Sequence, residues 1–401
     1  MLPVALALPT PPALWQALPT AVWRREALGA TGETSGWSAL SLTPSATAEA
    51  ALSIVPAIAI FVGVRQLAGA QKRAVLLCFL AFAVVSVFLG FAQLAGGPTS
   101  ALRFFHFTNP TEAVGFFANR NHFAALLYVS ILMTAPFVGD LVLGFLQSNK
   151  ANNLAAARIA LSFVGLTLIF LLLVALILAR SRAGVLLGLV GLAMVATLLL
   201  SDERNRWRRQ SLIAIGVAVF AAFGFASSSG VLHLTDRFNE SMADDARVVI
   251  AERSVAMAKA VFPTGSGLGS FETLYAAFER PQQVFANTFV NAAHDDWLQI
   301  LVETGVFGAL GLALFAVWLV ARGAALTRPR PAKTTTLDMT LTRSAYFGVV
   351  LLALHSFVDY PLRTEAGAVI FALCAALSYP PGRAHRDEAE PFDDEEMELA
   401  S

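Results

Sequence analysis

The sequence predicts an all-α polytopic membrane protein, on three observations. Of its 401 residues, 56% are hydrophobic and only 14% are charged, whereas soluble domains carry about a quarter charged residues. Apolar runs of about 20 residues recur along the chain, the length at which a helix crosses a bilayer core. Basic residues concentrate in alternate loops between those runs, the pattern of a chain with a fixed orientation across a membrane. The formal net charge of zero hides an asymmetry: acids gather from Asp387 to the end, so the membrane portion alone is basic.

Residues 1–46 are apolar but interrupted by Pro3, Pro9, Pro11, Pro12 and Pro19, which argues against a spanning helix. No basic region precedes the first apolar run, as a signal peptide would require. This stretch reads as an extracytoplasmic segment lying on the membrane, with Trp15, Trp23 and Trp37 as interfacial anchors. Residues 47–380 form the transmembrane domain. About nine spans are expected, near 47–67, 74–95, 122–145, 158–179, 183–201, 210–229, 297–321, 343–358 and 364–380. Cys78 and Cys374 fall inside spans and read as small buried side chains, not as a disulfide or metal pair. Residues 381–401 read as an acidic, disordered cytoplasmic tail.

One set of loops holds Arg65, Lys72 and Arg73; Lys150 and Arg158; Arg204, Arg206, Arg208 and Arg209; and Arg322, Arg328, Arg330 and Lys333. The positive-inside rule places these in the cytoplasm, together with the C-terminus and its Arg383 and Arg386. The loop at 96–121, the turn at Arg180 and Arg182, the long loop at 230–296 and the turn from Asp359 to Arg363 are then extracytoplasmic. Five of the six histidines (His106, His122, His233, His294 and His355) fall on or beside that face. Titratable groups gathered at one membrane face point to chemistry or binding there. Nine spans with a cytoplasmic C-terminus leave the N-terminus outside. Without a signal peptide, that implies either a count wrong by one span or spans upstream of Met1.

Five motifs carry the polar chemistry. In "GFFANRNHFAALL", from Gly115, the residues Asn119, Arg120, Asn121 and His122 enter the head of a span. Asn is a good helix cap, and an anion at this N-terminus would also satisfy Arg120. In "ARSRAG", from Ala179, Arg180 and Arg182 flank Ser181 in a short turn. They fit either lipid-phosphate anchoring or a diphosphate clamp, since guanidinium matches phosphate oxygens. Gly184, Gly188 and Gly191 then read as a close helix-packing face. The long loop contains an amphipathic helix from about Ala243, with Val248, Val249, Val255 and Val261 toward its apolar side. Arg247 sits in its first turn, a poor place for a cation unless an anion is near. "GSGLGS", from Gly265, reads as a flexible turn and, with no strand before it, not as a dinucleotide fingerprint.

The fourth motif, "AHDDWLQILVETG", opens a span with His294, Asp295, Asp296, Gln299 and Glu303. The aspartates suit a helix N-terminus. A metal site would need a second ligand cluster, and no stretch supplies one at supporting spacing. His294 can act as a general base if an acceptor hydroxyl reaches it. The fifth, "HSFVDYPLRTEAG", ends a span with His355, Asp359 and Arg363 around Pro361. Its Asp–Arg pair fits a structural tie as well as a site.

With these residues in hand, the chain resembles the O-antigen ligase/polymerase superfamily, that is, WaaL-type ligases and Wzy-like polymerases. The motifs "GFFANRNHFA", "ARSRAG", "PTGSGLGSFETLY", "AHDDWLQILVETGVFG" and "HSFVDYPLR" occur in family order from about residue 90 to 380. The resemblance implies a GT-C-like fold and a metal-independent glycosyltransferase with no cofactor. Such an enzyme moves a glycan from a polyprenyl diphosphate carrier to an acceptor hydroxyl, on another glycan or on lipid A core. It would sit in the bacterial inner membrane with its active site facing the periplasm; no nucleic acid partner is expected. By resemblance, His294 activates the acceptor, and Arg247, Arg180 and Arg182 bind the diphosphate. Arg120, Asn121, His122, His355, Asp359 and Arg363 join the substrate site. Family members commonly have about a dozen spans, so this chain resembles the pattern from an early periplasmic segment onward. Two other readings compete: a membrane transporter, and a non-catalytic partner that binds the carrier lipid in polysaccharide export. Transporters tend to show internal repeats and midplane charge, whereas here polar groups cluster at span ends, Asp140 being the main exception.

Overall fold

The computed structural model describes residues 6–32, 36–105, 108–146, 153–200, 241–280, 289–328 and 334–380, and these are mostly helical with almost no strand. A small amino-terminal unit comes first: β1 (Pro9–Thr10), α1 (Pro12–Trp15), α2 (Ala21–Thr31) and β2 (Ser38–Ala39), with β1 and β2 antiparallel. Trp15 is not an interfacial anchor. It is fully buried, its indole N–H donates to Gly36 O at 3.2 Å, and Arg24 lies over its ring at 5.7 Å. Arg24 is buried as well and donates to Ser38 Oγ and to the carbonyls of Ala39, Leu40 and Ser41. One guanidinium thus satisfies the backbone of a segment that has little sheet of its own. Trp37 is 70% exposed, and Trp23 packs on Phe278.

The membrane part follows as α3 (Pro44–Ser53), α4 (Val55–Gln66), α5 (Gly69–Ala95), α6 (Arg120–Leu146), α7 (Asn153–Leu178), α8 (Arg182–Leu200), α9 (Ser241–Ala260), α10 (Phe271–Phe278), α11 (Asp296–Leu326), α12 (Thr336–His355) and α13 (Glu365–Leu377). Among the described residues, seven helical segments are long and apolar enough to cross a membrane: α3 with α4, then α5, α6, α7, α8, α11 and α12. The expected span at 210–229 lies outside the described residues. The span expected near 364–380 is shorter than predicted. At 1.5 Å per residue α13 reaches about 20 Å, less than the hydrocarbon core of about 30 Å. It starts where expected, after a 3-10 turn at Pro361–Arg363 and with Thr364 as its cap, accepting from Gly367 N at 3.2 Å, and it ends early, at Leu377.

α6 is the axis of the bundle. Phe123 through Val129 are each at most 2% exposed, and α7, α8, α12 and α13 pack around it. An apolar helix buried on all sides needs no amphipathic stripe. Gly184, Gly188 and Gly191 meet Ala124, Leu176 and Leu132 where a β-carbon would crowd them, so the small-residue face is a packing seam. Of the cysteines, Cys374 is buried, whereas Cys78 is exposed on α5. The apolar side of α9 also differs from expectation. Ile250, Met257 and Val261 are buried, while Val248 and Val255 face away. The helical period from Ile250 selects that face.

α11 breaks at Gly305, whose φ of 54° and ψ of −129° are not helical. The glycine-rich segment after Pro263 fills the break. Val306 N donates to Pro263 O at 2.8 Å, Ser266 N to Val302 O at 3.1 Å and Gly267 N to Glu303 O at 2.8 Å. Gly265 has φ 77°, and a β-carbon there or on Gly305 would collide with the facing backbone. The stretch expected as a flexible turn is therefore a fixed strap that re-satisfies an interrupted helix. Leu42 N donates to Ser266 O at 2.8 Å and Thr47 Oγ1 to Leu268 O at 2.7 Å, which ties the start of α3 and the segment before it to the strap.

Candidate functional site

The site lies at the end of the bundle where α6 and α11 begin and α12 finishes. Asp295 caps α11 by accepting from Leu298 N at 2.9 Å. Asp296 is buried and accepts from Ser356 Oγ at 2.8 Å and Leu362 N at 3.0 Å, while its own N–H donates to Ser356 O. The two aspartates thus act as a helix N-terminus, and Asp296 also joins the first turn of α11 to the turn after α12. That turn carries Asp359.

His294 precedes the cap with φ 53°, a left-handed backbone that side-chain-bearing residues adopt at a cost of about 1–2 kcal/mol. The conformation turns its imidazole toward the turn after α12. Nδ1 lies 3.4 Å from Asp359 Oδ1; the histidine side chain is 29% exposed and the aspartate 1%. Burial by itself pushes the Asp359 carboxyl up. The hydrogen bond to His294 and the nearby His122, His294 and His355 outweigh it and hold the group well below the usual carboxylate range. An ionised Asp359 accepts from Nδ1–H, and this tautomer leaves Nε2 of His294 as a proton acceptor.

Other groups, several of them expected from the sequence, gather around this pair. Tyr360 presents its ring edge-on to His294 at 5.0 Å and to His122 at 5.1 Å. Asn119 reaches Asp359 Oδ2 at 3.5 Å and caps α6 by accepting from Asn121 N at 2.8 Å. His355 is buried with Nδ1 3.3 Å from Tyr128 Oη. The Nε2 atoms of His122 and His355 are buried with no hydrogen-bond partner among the described residues. Tyr128, Tyr360 and Glu112 are absent from the motif reading. A tyrosine hydroxyl inside an apolar run needs a partner, and that was the available signal for Tyr128.

The Asp359–Arg363 tie suggested by their spacing is not made. Arg363 instead pairs with Glu303 at 2.6 Å and lies 3.9 Å from Asp296. Glu303, fully buried, also accepts from Gln299 Nε2 at 3.1 Å, and Gln299 accepts from Ala293 N at 2.9 Å. A chain of charge and amide contacts therefore runs from Arg363 to the residue before His294. Arg120 pairs with the buried Glu112 at 2.8 Å. Arg180, at φ 52°, and Arg182 are exposed on either side of the buried Ser181, which caps α8 by accepting from Gly184 N at 3.0 Å. Because Gly184 packs on Ala124, this turn sits beside the first turn of α6. Arg247 is exposed on α9. His106 and His233 lie outside the described residues.

Residues 167–313 match the family model described as O-antigen ligase. The match takes in Arg180, Arg182, Arg247 and His294; the Asn119–His122 and His355–Arg363 stretches lie beyond it. No curated protein matches the chain. The family match supports the O-antigen ligase/polymerase superfamily and a role in glycan assembly. The apolar helices are those of a multi-pass membrane protein.

Proposed function

On the premise that residues 167–313 are a segment of the O-antigen ligase family, we propose that the protein transfers a glycan from a polyprenyl diphosphate carrier to an acceptor hydroxyl at the periplasmic face of the inner membrane. The observation that carries this reading is His294: a partly exposed imidazole held by an almost wholly buried, ionised Asp359. In the proposed step, Nε2 of His294 takes the proton of the acceptor hydroxyl as its oxygen attacks the anomeric carbon. The bond between that carbon and the diphosphate oxygen breaks, and the electron pair leaves with the diphosphate. Attack in line with the leaving group inverts the anomeric centre. Arg180, Arg182 and Arg247, all exposed, supply cations for the charge that develops on the diphosphate. Asn121 and His122, in the first turn of α6, and His355 are taken as further members of the substrate site; the two histidines are buried in this structure. Arg120 and Arg363, each already paired with a buried carboxylate, support the site rather than grip the donor.

The test is a reconstitution of the purified full chain in liposomes with a polyprenyl-diphosphate-linked oligosaccharide, alone and then with lipid A core. Transfer is expected, and His294→Ala should lower it by about 100- to 10,000-fold. A product ladder without added acceptor identifies a polymerase; a single shift that requires lipid A core identifies a ligase. A His294→Ala variant that folds and transfers at the wild-type rate would remove His294 as the base.

A further inference from the structure

The opposite end of the bundle carries a second constellation. A groove of about 420 Å³ runs between α4, α11 and α13, lined by apolar side chains that include Phe61, Phe315, Trp318, Phe371 and Ala375. Four residues beyond a lining residue in each case stands a member of a cationic crown: Arg65 after Phe61 on α4, Arg322 after Trp318 on α11, and Tyr379 after Ala375, just past the end of α13. The Arg65 guanidinium lies 3.8 Å from the centre of the Tyr379 ring and that of Arg322 4.2 Å from it. Trp318 Nε1 donates to Tyr379 Oη at 2.9 Å, which joins the groove wall to the crown. Lys72, from α5, closes the group by donating to Tyr379 O at 3.1 Å.

Two guanidinium groups thus meet at one ring, and a third cation, Lys72, at the main chain of the same residue. Their hydrogen-bond acceptors in the structure are neutral: Arg322 donates to Ser378 O and Lys72 to Tyr379 O. The nearby acid Asp338 is bound to Arg73 at 2.5 Å. Among the described residues no carboxylate lies within ion-pair distance of Arg65, Lys72 or Arg322. The other end of the groove contrasts with this. It closes at Leu362, next to an Arg363 already paired with Glu303. The unbalanced charge is at the crown, and the crown borders an apolar groove open along the exposed side of α4, where Ile58 is 56% exposed. Basic pockets between membrane helices at such a position recognise anionic lipid headgroups.

We propose that this end of the molecule holds an anionic glycerophospholipid of the surrounding leaflet, with its phosphate on Arg65 and Arg322 and an acyl chain in the groove. The site does not depend on the transfer reaction or on the His294 cluster. The test is native mass spectrometry of the purified full chain, delipidated and then offered phosphatidylglycerol or phosphatidylcholine. Phosphatidylglycerol should be retained preferentially. Arg65→Gln with Arg322→Gln should lower that retention by about tenfold or more. Ala57→Trp, which narrows the groove and leaves the crown intact, should lower it as well. Arg328→Gln, on the same side but outside the crown, should leave it unchanged. If the double variant fails to fold, Arg65→Gln alone, at an exposed side chain, carries the same test. Equal retention of the two lipids by the wild type would overturn the proposal. An Arg328→Gln loss as large as that of the crown variants would also overturn it, leaving only general attraction of basic loops to an anionic surface.

Discussion

His294 stands in a left-handed backbone conformation that its own side chain disfavours, and its nearest polar partner is Asp359, 65 residues away. The pairing explains why the aspartate is kept ionised although it is buried. It also sets a pH dependence. A carboxyl held below its ordinary pKa contributes stability in full above the ordinary carboxylate range, near pH 4, and loses it as pH falls toward the lower native value. Asp359→Asn removes both the charge and that dependence. The wild type is expected to lose thermal stability below about pH 4 more steeply than the variant, while at pH 7 the variant should be less stable by about 1.5–3 kcal/mol. Transfer by Asp359→Asn should fall by about 100-fold or more, because the imidazole no longer has a fixed tautomer. Parallel melting curves from pH 3 to pH 7 would show that Asp359 carries no such linkage. The partner of His294 was not legible in the sequence. Spacing offers Arg363, four residues on, as the mate of Asp359, but Arg363 is taken by Glu303 on α11. Local spacing cannot reveal that α11 and the turn after α12 are joined through Asp296 and Ser356.

At the scale of elements, the spans were legible because a bilayer demands long apolar runs with internally bonded backbone. Where that demand is met by another segment, the sequence misleads. The run from Asp296 to Leu326 reads as one helix, and "GSGLGS" as a loose turn, yet each completes the other at Gly305. A break in a helix is invisible when the residues before and after it are all helix-compatible, and only the glycines hint at close backbone approach. Gly305→Ala tests this element. Its β-carbon would meet Pro263 O, and the left-handed φ adds its own penalty, so a loss of about 2–4 kcal/mol is expected. The α11 turn that carries Asp296, Gln299 and Glu303 lies directly before the break, so transfer should fall along with the melting temperature. Gly311→Ala, in the same helix with open space around it, should be neutral or slightly stabilising. Equal behaviour of the two variants would mean that the strap does not hold the helix.

At the scale of the whole molecule, the two ends differ in what their charges do. At the His294 end, Arg363 meets Glu303, Arg120 meets Glu112 and His294 meets Asp359, all buried carboxylates, while Arg180, Arg182 and Arg247 stand exposed. At the other end, Arg65, Lys72 and Arg322 meet carbonyls and an aromatic ring. Basic loops favour the cytoplasmic side, so on the reading proposed above the His294 end faces the periplasm. The orientation follows from loop charge alone, so it can be tested without any substrate. In a Cys78→Ser background, which leaves the buried Cys374 as the native thiol, Phe289→Cys places a thiol at a 74% exposed position in the loop before His294. Arg328→Cys places one at the basic end. In intact spheroplasts a membrane-impermeant maleimide is expected to label the first and to reach the second only after the membrane is opened. The reverse pattern would turn the molecule over, put His294 in the cytoplasm, and remove the periplasmic acceptor while leaving the His294–Asp359 geometry as it stands. Labelling of both sites in intact spheroplasts would mean that loop charge does not govern this chain. The transport reading would then become the stronger one, because an aqueous path between the two ends is what a transporter needs and a transferase does not.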